Sequence, residues 1–276
     1  MKTILVATDF SSSATNAVNY AADMAVSLNA KLILFHVYQV PVIYSEVPVA
    51  VNEADMITAA EKDMASLGSE INKKRNDKLH IETEVKMGVF FYELKSLCDT
   101  IKPYLVVLGS QGTTATERFL FGSHTVYAMK HLKWPLMTVP PESHFASIKK
   151  IGLACDFNNV IDTTPIEDIK ILVKDFNAEL HVINTGKETV FDPDIVFESG
   201  LLQEMLEGLD PKYDFVSSDN MDEGIIDFAE KNKIDLLVIL PKRHDLLEKL
   251  TKKSHTKKLV LHSHVPVMAL HQQSNQ

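Results

Sequence analysis

The second half of the chain repeats the first, and this repeat restricts the chain to two copies of one folding unit. Segment 4–10 (ILVATDF) returns as segment 151–157 (IGLACDF). From Leu105 onward the halves align without a gap at a separation of 131 positions, which pairs Pro135 with Pro266. A chain of 276 residues also suits two domains of about 140 residues, each long enough to bury its own core. We therefore expect two tandem domains.

The expected domains are residues 1–141 and residues 146–276. Between them lies Pro140–His144, a short segment that begins with two prolines. Proline restricts the backbone, and a linker this short leaves the domains little freedom to tumble independently.

Each half alternates short apolar runs with amphipathic segments. Ile4–Ala7 and Leu105–Leu108 are continuous apolar runs, which are typical of strands buried on both faces of a sheet. Residues 11–13 are serines that offer N-caps to a helix closing at Asn29. Alternating strands and helices predict a parallel, doubly wound α/β sheet. The other expected elements of the first half are strands at 32–37, 81–87 and 135–139, helices at 53–75, 91–101 and from Gly122 onward, and a long loop at 39–51.

Composition is ordinary for a soluble globular protein, with 45% hydrophobic and 24% charged residues. The formal net charge of −9 argues against a chain that binds nucleic acid or anionic membranes through its overall charge. The N-terminal segment MKTILVATDFSSS predicts a first strand rather than a signal peptide, and no apolar stretch reaches membrane-spanning length. Cys98 and Cys155 fall in an expected helix and an expected strand, which suits reduced structural thiols. We therefore expect a cytoplasmic protein with neither a nucleic-acid partner nor a membrane partner.

Glycines follow the buried strand at 105–108 in a pattern that favours an anion site. Gly109 ends the strand, Gly112 follows, and after nine more residues Gly122 and Ser123 begin a segment of helical periodicity. Glycines let backbone N–H groups converge on an anion at positive φ, and a helix start adds free amides and the positive end of the helix dipole. A Gly-x-x-Gly at a strand end is by itself typical of a simple turn, so the Gly-Ser pair adds most of the weight. The P-loop and dinucleotide fingerprints are both missing from the sequence.

The expected sheet places a ligand at the same point. In an open α/β sheet, ligands bind beyond the carboxyl ends of the strands, where the strand order reverses. Asp9 and Gly109 stand at the ends of the two strands that would flank this point.

The spacing Gly-x2-Gly-x9-Gly-Ser resembles the nucleotide-binding signature of the universal stress protein family, and the resemblance extends over both halves of the chain. It implies two tandem flavodoxin-like (adenine nucleotide alpha hydrolase-like) domains, each a five-stranded parallel sheet sandwiched by helices. It also implies ATP or another adenine nucleotide as the ligand, with Mg²⁺ held through the phosphates as an option. The fifth strand is commonly the dimer seam of this family, so Pro135–Val139 and Pro266–Leu270 are expected to pair within the chain as a pseudo-dimer. A homodimer of two whole chains is an alternative that is compatible with this pairing.

The resemblance extends to individual residues. Asp9, with Ala7 nearby, matches the acid at the adenosine, and Val37 matches the residue whose backbone contacts adenine. The glycines and Ser123 match the ribose and phosphate contacts. At His124 the chain departs from the family, which usually has valine or a similar residue there, and the imidazole either approaches the phosphates or faces solvent. The complete set of expected nucleotide-binding residues is Ala7, Thr8, Asp9, Val37, Gly88, Leu108, Gly109, Gln111, Gly112, Gly122, Ser123 and His124.

The second half lacks these glycines. Side chains at the aligned positions stand where a backbone would approach a phosphate, and leucine and lysine resist positive φ. We therefore predict a single nucleotide site, in the N-terminal domain. The aligned pairs are Gly88 with Asp219, Gly109 with Leu240, Gly112 with Arg243 and Gly122 with Lys253.

Two other features of the second half are most simply surface residues. The basic segment 242–258 is a solvated helical face or, alternatively, a patch for another anion. We expect no metal site, because the histidine spacing fits no standard zinc pattern. The histidines concerned are His244, His255, His262 and His264.

Catalysis has little support in the sequence. Hydrolysis needs a positioned water, a metal-holding acid and usually a cation on the transferred phosphoryl group, and the glycine segment supplies Glu117 and Arg118. We therefore favour a stress-response protein that binds a nucleotide as a regulatory or sensing module and has an unidentified protein partner. A slow ATP hydrolase or phosphotransferase, and a nucleotide-free interaction scaffold, are the alternatives.

Overall fold

A computed structural model of the chain describes residues 1–38, 53–110, 124–185, 193–218, 220–241 and 255–272. The first half contains strands β1 (Thr3–Ala7), β2 (Lys31–Tyr38), β3 (Ile81–Met87), β4 (Leu105–Gly109) and β5 (Leu136–Val139), and helices α1 (Ser12–Leu28), α2 (Glu53–Lys73), α3 (Phe90–Ile101) and α4 (residues 124–131). The second half contains strands β6 (Lys150–Ala154), β7 (Glu179–Asn184), β8 (Lys212–Phe215), β9 (Leu236–Ile239) and β10 (Val267–Ala269), and helices α5 (Val160–Thr163), α6 (Ile166–Phe176), α7 (Pro193–Met205), α8 (Met221–Lys231) and α9 (His255–His262).

The strands form one sheet in the order β3-β2-β1-β4-β5-β10-β9-β6-β7-β8. Within each half all neighbouring strands pair in parallel. Between the halves, β5 and β10 pair antiparallel, with Met137 opposite Met268. Each half is therefore a five-stranded, doubly wound α/β unit, which confirms the predicted fold class. The expected pairing of the two fifth strands within the chain is present.

Two hydrophobic cores cover the two faces of the sheet. Alternate residues of a buried strand contribute to opposite cores, as Ile4 and Val6 do to one and Leu5 to the other. The first core also contains the inner faces of α1, α2, α6 and α7, and the second contains those of α3, α4, α8 and α9. Because each core includes residues of both halves, the two domains share a continuous interior.

Helix α1 begins and ends as its sequence predicts. Ser11 is the N-cap, and its Oγ accepts a hydrogen bond from the N–H of Ala14 at 3.2 Å. Asn29 ends the helix in the left-handed conformation, at φ 48°. The corresponding helix of the second half is split into α5 and α6 at Pro165, because proline lacks an N–H and forces the preceding Thr164 into an extended conformation.

Helix α2 ends at Lys73, before the predicted end at Arg75. The Arg75 side chain instead fastens the end of α2 to α1, because Nε donates to Asp23 Oδ1 at 2.7 Å and Nη2 donates to the Asn19 carbonyl at 2.9 Å. The loop predicted at 39–51 lies outside the described residues.

The linker between the halves is held by both of them. Asn16 of α1 donates to the carbonyls of Pro140 and Ser143, each at 3.0 Å. Ser143 Oγ donates to the carbonyl of His264 in the second half at 3.2 Å. The linker is therefore ordered as the sequence suggests, while the domain boundaries stay a prediction.

Both cysteines are buried, as expected of structural thiols. Burial, together with the charge of Asp99, raises the pKa of the Cys98 thiol to about 12. In the described ranges, no helix is both long enough and apolar enough to cross a membrane.

Candidate functional site

The strand order of the first half reverses between β1 and β4. Strands β2 and β3 lie beyond β1 on one side, and β5 lies beyond β4 on the other. At such a point the connections leave the sheet toward opposite faces, and a crevice opens at the carboxyl ends of the strands. Asp9 follows β1 and Gly109 ends β4, so both stand where the sequence analysis places them.

Side chains fold the turn between β1 and α1. Thr8 Oγ1 accepts a hydrogen bond from the N–H of Phe10, and Asp9 Oδ1 accepts one from the N–H of Ser11, each at 3.0 Å. Phe10 has a φ of 65°, which is uncommon for a residue other than glycine. At the end of β2, His36 Nδ1 lies 2.7 Å from the Thr8 carbonyl oxygen. A carbonyl can only accept, so Nδ1 holds the hydrogen; no sequence motif points to His36.

The second half builds the same turn from different side chains. Cys155 Sγ accepts a hydrogen bond from the N–H of Phe157 at 3.5 Å. Asp156 Oδ1 accepts one from the N–H of Asn158 at 3.3 Å. The φ of Phe157 is 49°. Asn184 takes the place of His36 and donates to the Cys155 carbonyl at 2.8 Å. Because both halves form this turn, its acid has a structural role, and the acid alone does not identify a binding site.

Gly109 packs directly against the first turn of α1. A Cβ at this position would lie 2.8 Å from Ser13 Oγ and 3.2 Å from the Ser13 backbone carbon. Among the described glycines, positive φ occurs at Gly88 and Gly208. The expectation that Gly109 supplies a positive φ is therefore wrong, and close packing is the reason for glycine here. In the second half, Leu240 stands at the aligned position and packs against the core that also contains residues of α5 and α6.

Two buried hydroxyls flank Gly109. Ser13 lies against it, Ser110 follows it in the chain, and the two serines are 2% and 1% exposed. Within the described part of the chain neither hydroxyl has a hydrogen-bond partner, although buried polar groups normally have one. These serines are therefore candidate ligand contacts. No sequence signal marks these two hydroxyls, because burial distinguishes them and Ser13 is one of three consecutive serines suited to capping α1.

The other described candidates lie at neighbouring strand ends. Ala7 and Leu108 are buried in the core under α3 and α4, and Val37 packs against the same core. Gly88 follows β3 with a φ of 152°, and a Cβ there would lie 2.7 Å from Glu93 Oε1 in α3. Gly88 thus has conformational and packing reasons to be glycine that are independent of a ligand.

Helix α4 is tied to the end of β4. Thr125 Oγ1 donates to the carbonyl of Gly109 at 3.3 Å. The ring of His124 packs edge-on against Phe90, with 6.2 Å between the ring centroids. His124 is therefore partly covered by α3, and a contact between His124 and phosphates stays a prediction.

Four expected ligand residues lie outside the described residues, so their place at the site stays a prediction. They are Gln111, Gly112, Gly122 and Ser123. Other residues named in the sequence analysis also lie outside the described residues: Asp219, Arg243, Lys253, Glu117, Arg118, His244 and most of the basic segment 242–258.

The second half has a polar cluster where the first half has aromatic rings. Asp222, 2% exposed, begins α8 and contacts His255 Nδ1 at 2.7 Å and Lys258 Nζ at 3.1 Å. The residues aligned with Asp222 and Lys258 are Phe91 and Tyr127, whose rings meet edge-on at 4.8 Å. Over the described ranges, no group of three or more His, Cys, Asp or Glu side chains is arranged to hold a metal ion. The two crevices therefore differ at their helix starts as well as at Gly109.

Comparisons with known proteins cover both halves of the chain. The model of the universal stress protein family matches residues 1–140 and again residues 148–271. A universal stress protein from Archaeoglobus fulgidus superposes with a TM-score of 0.73 at 16% identity, covering 99% of this chain and 97% of that chain. A functionally unknown protein from Pseudomonas aeruginosa superposes with a TM-score of 0.60 at 14% identity, covering 98% of this chain and 92% of that chain. A universal stress protein in complex with cAMP matches 50% of this chain and 96% of that chain, at 26% identity and a TM-score of 0.39.

No curated protein sequence matches the chain significantly. The two full-length structural similarities show the fold, and the two family matches together span nearly the whole sequence. The chain therefore belongs to the universal stress protein family, in which it is a tandem two-domain member.

Proposed function

We propose that the protein binds one adenine nucleotide, ATP or a close relative, in the crevice between β1 and β4 of the N-terminal domain. The observation that supports this most is the contrast at the end of the fourth strand of each half. Gly109 lets α1 pack closely and is flanked by two buried hydroxyls that have no partner among the described residues, whereas Leu240 occupies the aligned position. Both crevices have the aspartate turn, so the difference at this strand end is what favours the first domain.

Each group at the crevice would have a separate task in binding. Asp9 would accept a hydrogen bond from a ribose hydroxyl, and the backbone of Val37 would read the adenine edge. Ser13 and Ser110 would donate to ligand oxygens, which would satisfy two buried hydroxyls for which the described part of the chain offers no partner. The glycine segment and Ser123 would hold the phosphates through backbone N–H groups and a hydroxyl.

Mg²⁺, where the nucleotide brings it, would be held mainly by phosphate oxygens. Asp9 is assigned to the ribose in this arrangement, so phosphate oxygens and water, which are usual ligands of Mg²⁺, would supply its coordination. The metal would neutralise phosphate charge there.

The proposed role is regulatory binding in a stress response rather than catalysis. The named groups would hold ground state and transition state about equally, and uniform binding does not accelerate a reaction. Slow ATP hydrolysis or phosphoryl transfer, and a scaffold that binds no nucleotide, are the alternatives. An unidentified protein partner would read the nucleotide state. The buried thiols support a cytoplasmic location as part of the same proposal.

The test is titration calorimetry with ATP on the wild-type chain and on Gly112→Arg, which copies the second-half residue into the first half. We expect one site per chain in the wild type and loss of binding in the variant, because a long side chain replaces a residue whose backbone would meet phosphate. Arg243→Gly is the matched control in the second half and should leave one site unchanged.

Three results would count against the proposal. Two equivalent sites in the wild type would show that the second crevice is intact. Unchanged affinity in a folded Gly112→Arg chain would remove the glycine segment from the site. No binding of any adenine nucleotide would leave the scaffold alternative.

A further inference from the structure

The C-terminal end of the second domain contacts the helix that starts at the proposed nucleotide crevice. His271 follows β10 and is 4% exposed, and its Nε2 lies 2.9 Å from the carbonyl oxygen of Met129 in α4. Because the carbonyl can only accept, Nε2 must hold the hydrogen. A side chain of the second domain therefore donates a buried hydrogen bond to a helix of the first.

This hydrogen bond falls on a part of α4 that needs a donor. The helical residues end at 131, so Met129 belongs to the last turn, where carbonyls commonly need partners from outside the helix. The Ala128 carbonyl accepts from the N–H of Leu132 at 2.8 Å, and His271 supplies the donor to the Met129 carbonyl. A histidine near a helix C-terminus can satisfy such a carbonyl and interacts favourably with the helix dipole. His271 thus acts as a C-terminal cap supplied by the other domain.

The opposite end of the same helix is fixed to the crevice. Thr125 Oγ1 donates to the carbonyl of Gly109, and Thr125 and Met129 are only about 6 Å apart along the helix axis. Ala128, Met129 and Leu132 are fully buried in the core that also contains residues of β10. Helix α4 is therefore a short rigid link between the end of β4 and the second domain.

The contact has no reciprocal counterpart. At the separation of 131 positions, His271 aligns with Pro140. Proline has no side-chain donor, and the Pro140 carbonyl accepts from Asn16 within the first domain. The second domain caps a crevice helix of the first, and the aligned residue of the first domain cannot cap α9 in return.

We propose that the second domain serves as a built-in positioning partner for the nucleotide site, and that His271 is the positioning residue through which it acts. This inference rests on the proposed nucleotide site of the first domain. Apparent affinity falls with the fraction of molecules in the binding-competent state. His271 raises that fraction by holding α4 where its start meets the ligand.

The experiment measures ATP affinity by titration calorimetry on full-length variants. His271→Ala should weaken binding about fivefold, which corresponds to about 1 kcal/mol and to the loss of one neutral hydrogen bond. His271→Gln should restore affinity to within about twofold of the wild type, because its amide nitrogen can donate in place of Nε2. His264→Ala is the matched control: His264 is exposed and contacts Glu230, so affinity should not change.

A second readout separates positioning from general stability. Without nucleotide, amide hydrogen exchange of residues 124–133 should be faster in His271→Ala than in the wild type, and saturating ATP should slow it again. Exchange in the β1 to α1 region should not differ between the two proteins.

The outcomes that overturn the proposal are distinct. Wild-type affinity in a folded His271→Ala chain would show that the cap does not act on the site. Equal weakening in His271→Ala and His271→Gln, with exchange faster throughout the chain, would make the residue only structural. If the wild-type chain itself binds no adenine nucleotide, the proposed function fails first, and the positioning role fails with it.

Discussion

Gly109→Ala tests whether the glycine at the end of β4 is required by packing. A Cβ there would lie 2.8 Å from Ser13 Oγ and 3.2 Å from both the carbonyl carbon and the carbonyl oxygen of Ser13. The hydroxyl can rotate away, whereas the backbone contacts need the first turn of α1 to move. Overpacking of this kind costs about 2 kcal/mol. Alanine recovers roughly 0.5–1 kcal/mol by lowering the entropy of the unfolded chain, so we expect a net loss of about 1 kcal/mol in the free energy of unfolding.

Urea unfolding followed by circular dichroism measures this difference. Gly200→Ala is the matched control, because no described residue comes within 4 Å of a Cβ built at Gly200 in α7. That substitution should stabilise the chain by roughly 0.5–1 kcal/mol, since glycine is unfavourable in a helix interior. Ser13→Ala combined with Gly109→Ala should recover part of the loss, because it removes the closest contact and leaves the two backbone contacts in place.

The reasoning fails if Gly109→Ala is as stable as the wild type, or is stabilised like Gly200→Ala. Such a result would mean that the first turn of α1 moves away at no cost. The glycine would then have to be explained by the approach of a ligand alone.

Two further predictions concern acid titration and chemistry. Hydrogen bonds from Lys95, and also from Lys133 and Trp134, lower the pKa of Asp99 to about 2. The stability that these contacts give the folded chain is therefore fully present above about pH 4 and is lost as the pH falls toward 2. Because Trp134 is the single tryptophan and its Nε1 donates to Asp99, its fluorescence should titrate in this window in the wild type, and an unchanged titration in Asp99→Asn would assign it to another group. ATP turnover should be far below ordinary enzyme rates of about ten per second. Glu117→Gln should leave it unchanged, because the neighbouring sequence 113–116 (TTAT) offers no group suited to fixing a carboxylate against an attacking water. Rapid turnover that Glu117→Gln abolishes, measured by phosphate release, would place the protein among the enzymes.

Most secondary structure could be predicted because it depends on local chemistry. Helix α1 is bounded by the Ser11 cap and the left-handed Asn29, and β4 coincides with the apolar run at 105–108. Each of these signals depends only on residues close by in the sequence. Contacts between residues that are far apart in the sequence could not be predicted in this way. Helix α2 stops at Lys73, and the Arg75 side chain just beyond it bonds to Asp23 of α1, a contact that no local pattern reports.

The candidate site was only partly accessible from sequence. Asp9 and Gly109 could be placed because parallel strands bring their carboxyl ends to one edge of the sheet. Ser13, Ser110 and His36 could not, because their roles depend on what surrounds them after folding. The reason for glycine at position 109 was also misjudged, since a packing contact with α1 is invisible to a motif based on backbone conformation.

The sequence by itself determined that this protein consists of two α/β repeats and that one of them has lost its glycines, because repetition and glycine replacement are properties of residue identity. Only the tertiary structure decided which residues of the two repeats contact each other. The antiparallel pairing of β5 with β10 brings His271 to the end of α4, although 142 positions separate His271 from Met129. Contacts over such distances arise from the geometry of the assembled sheet, which no local interaction encodes.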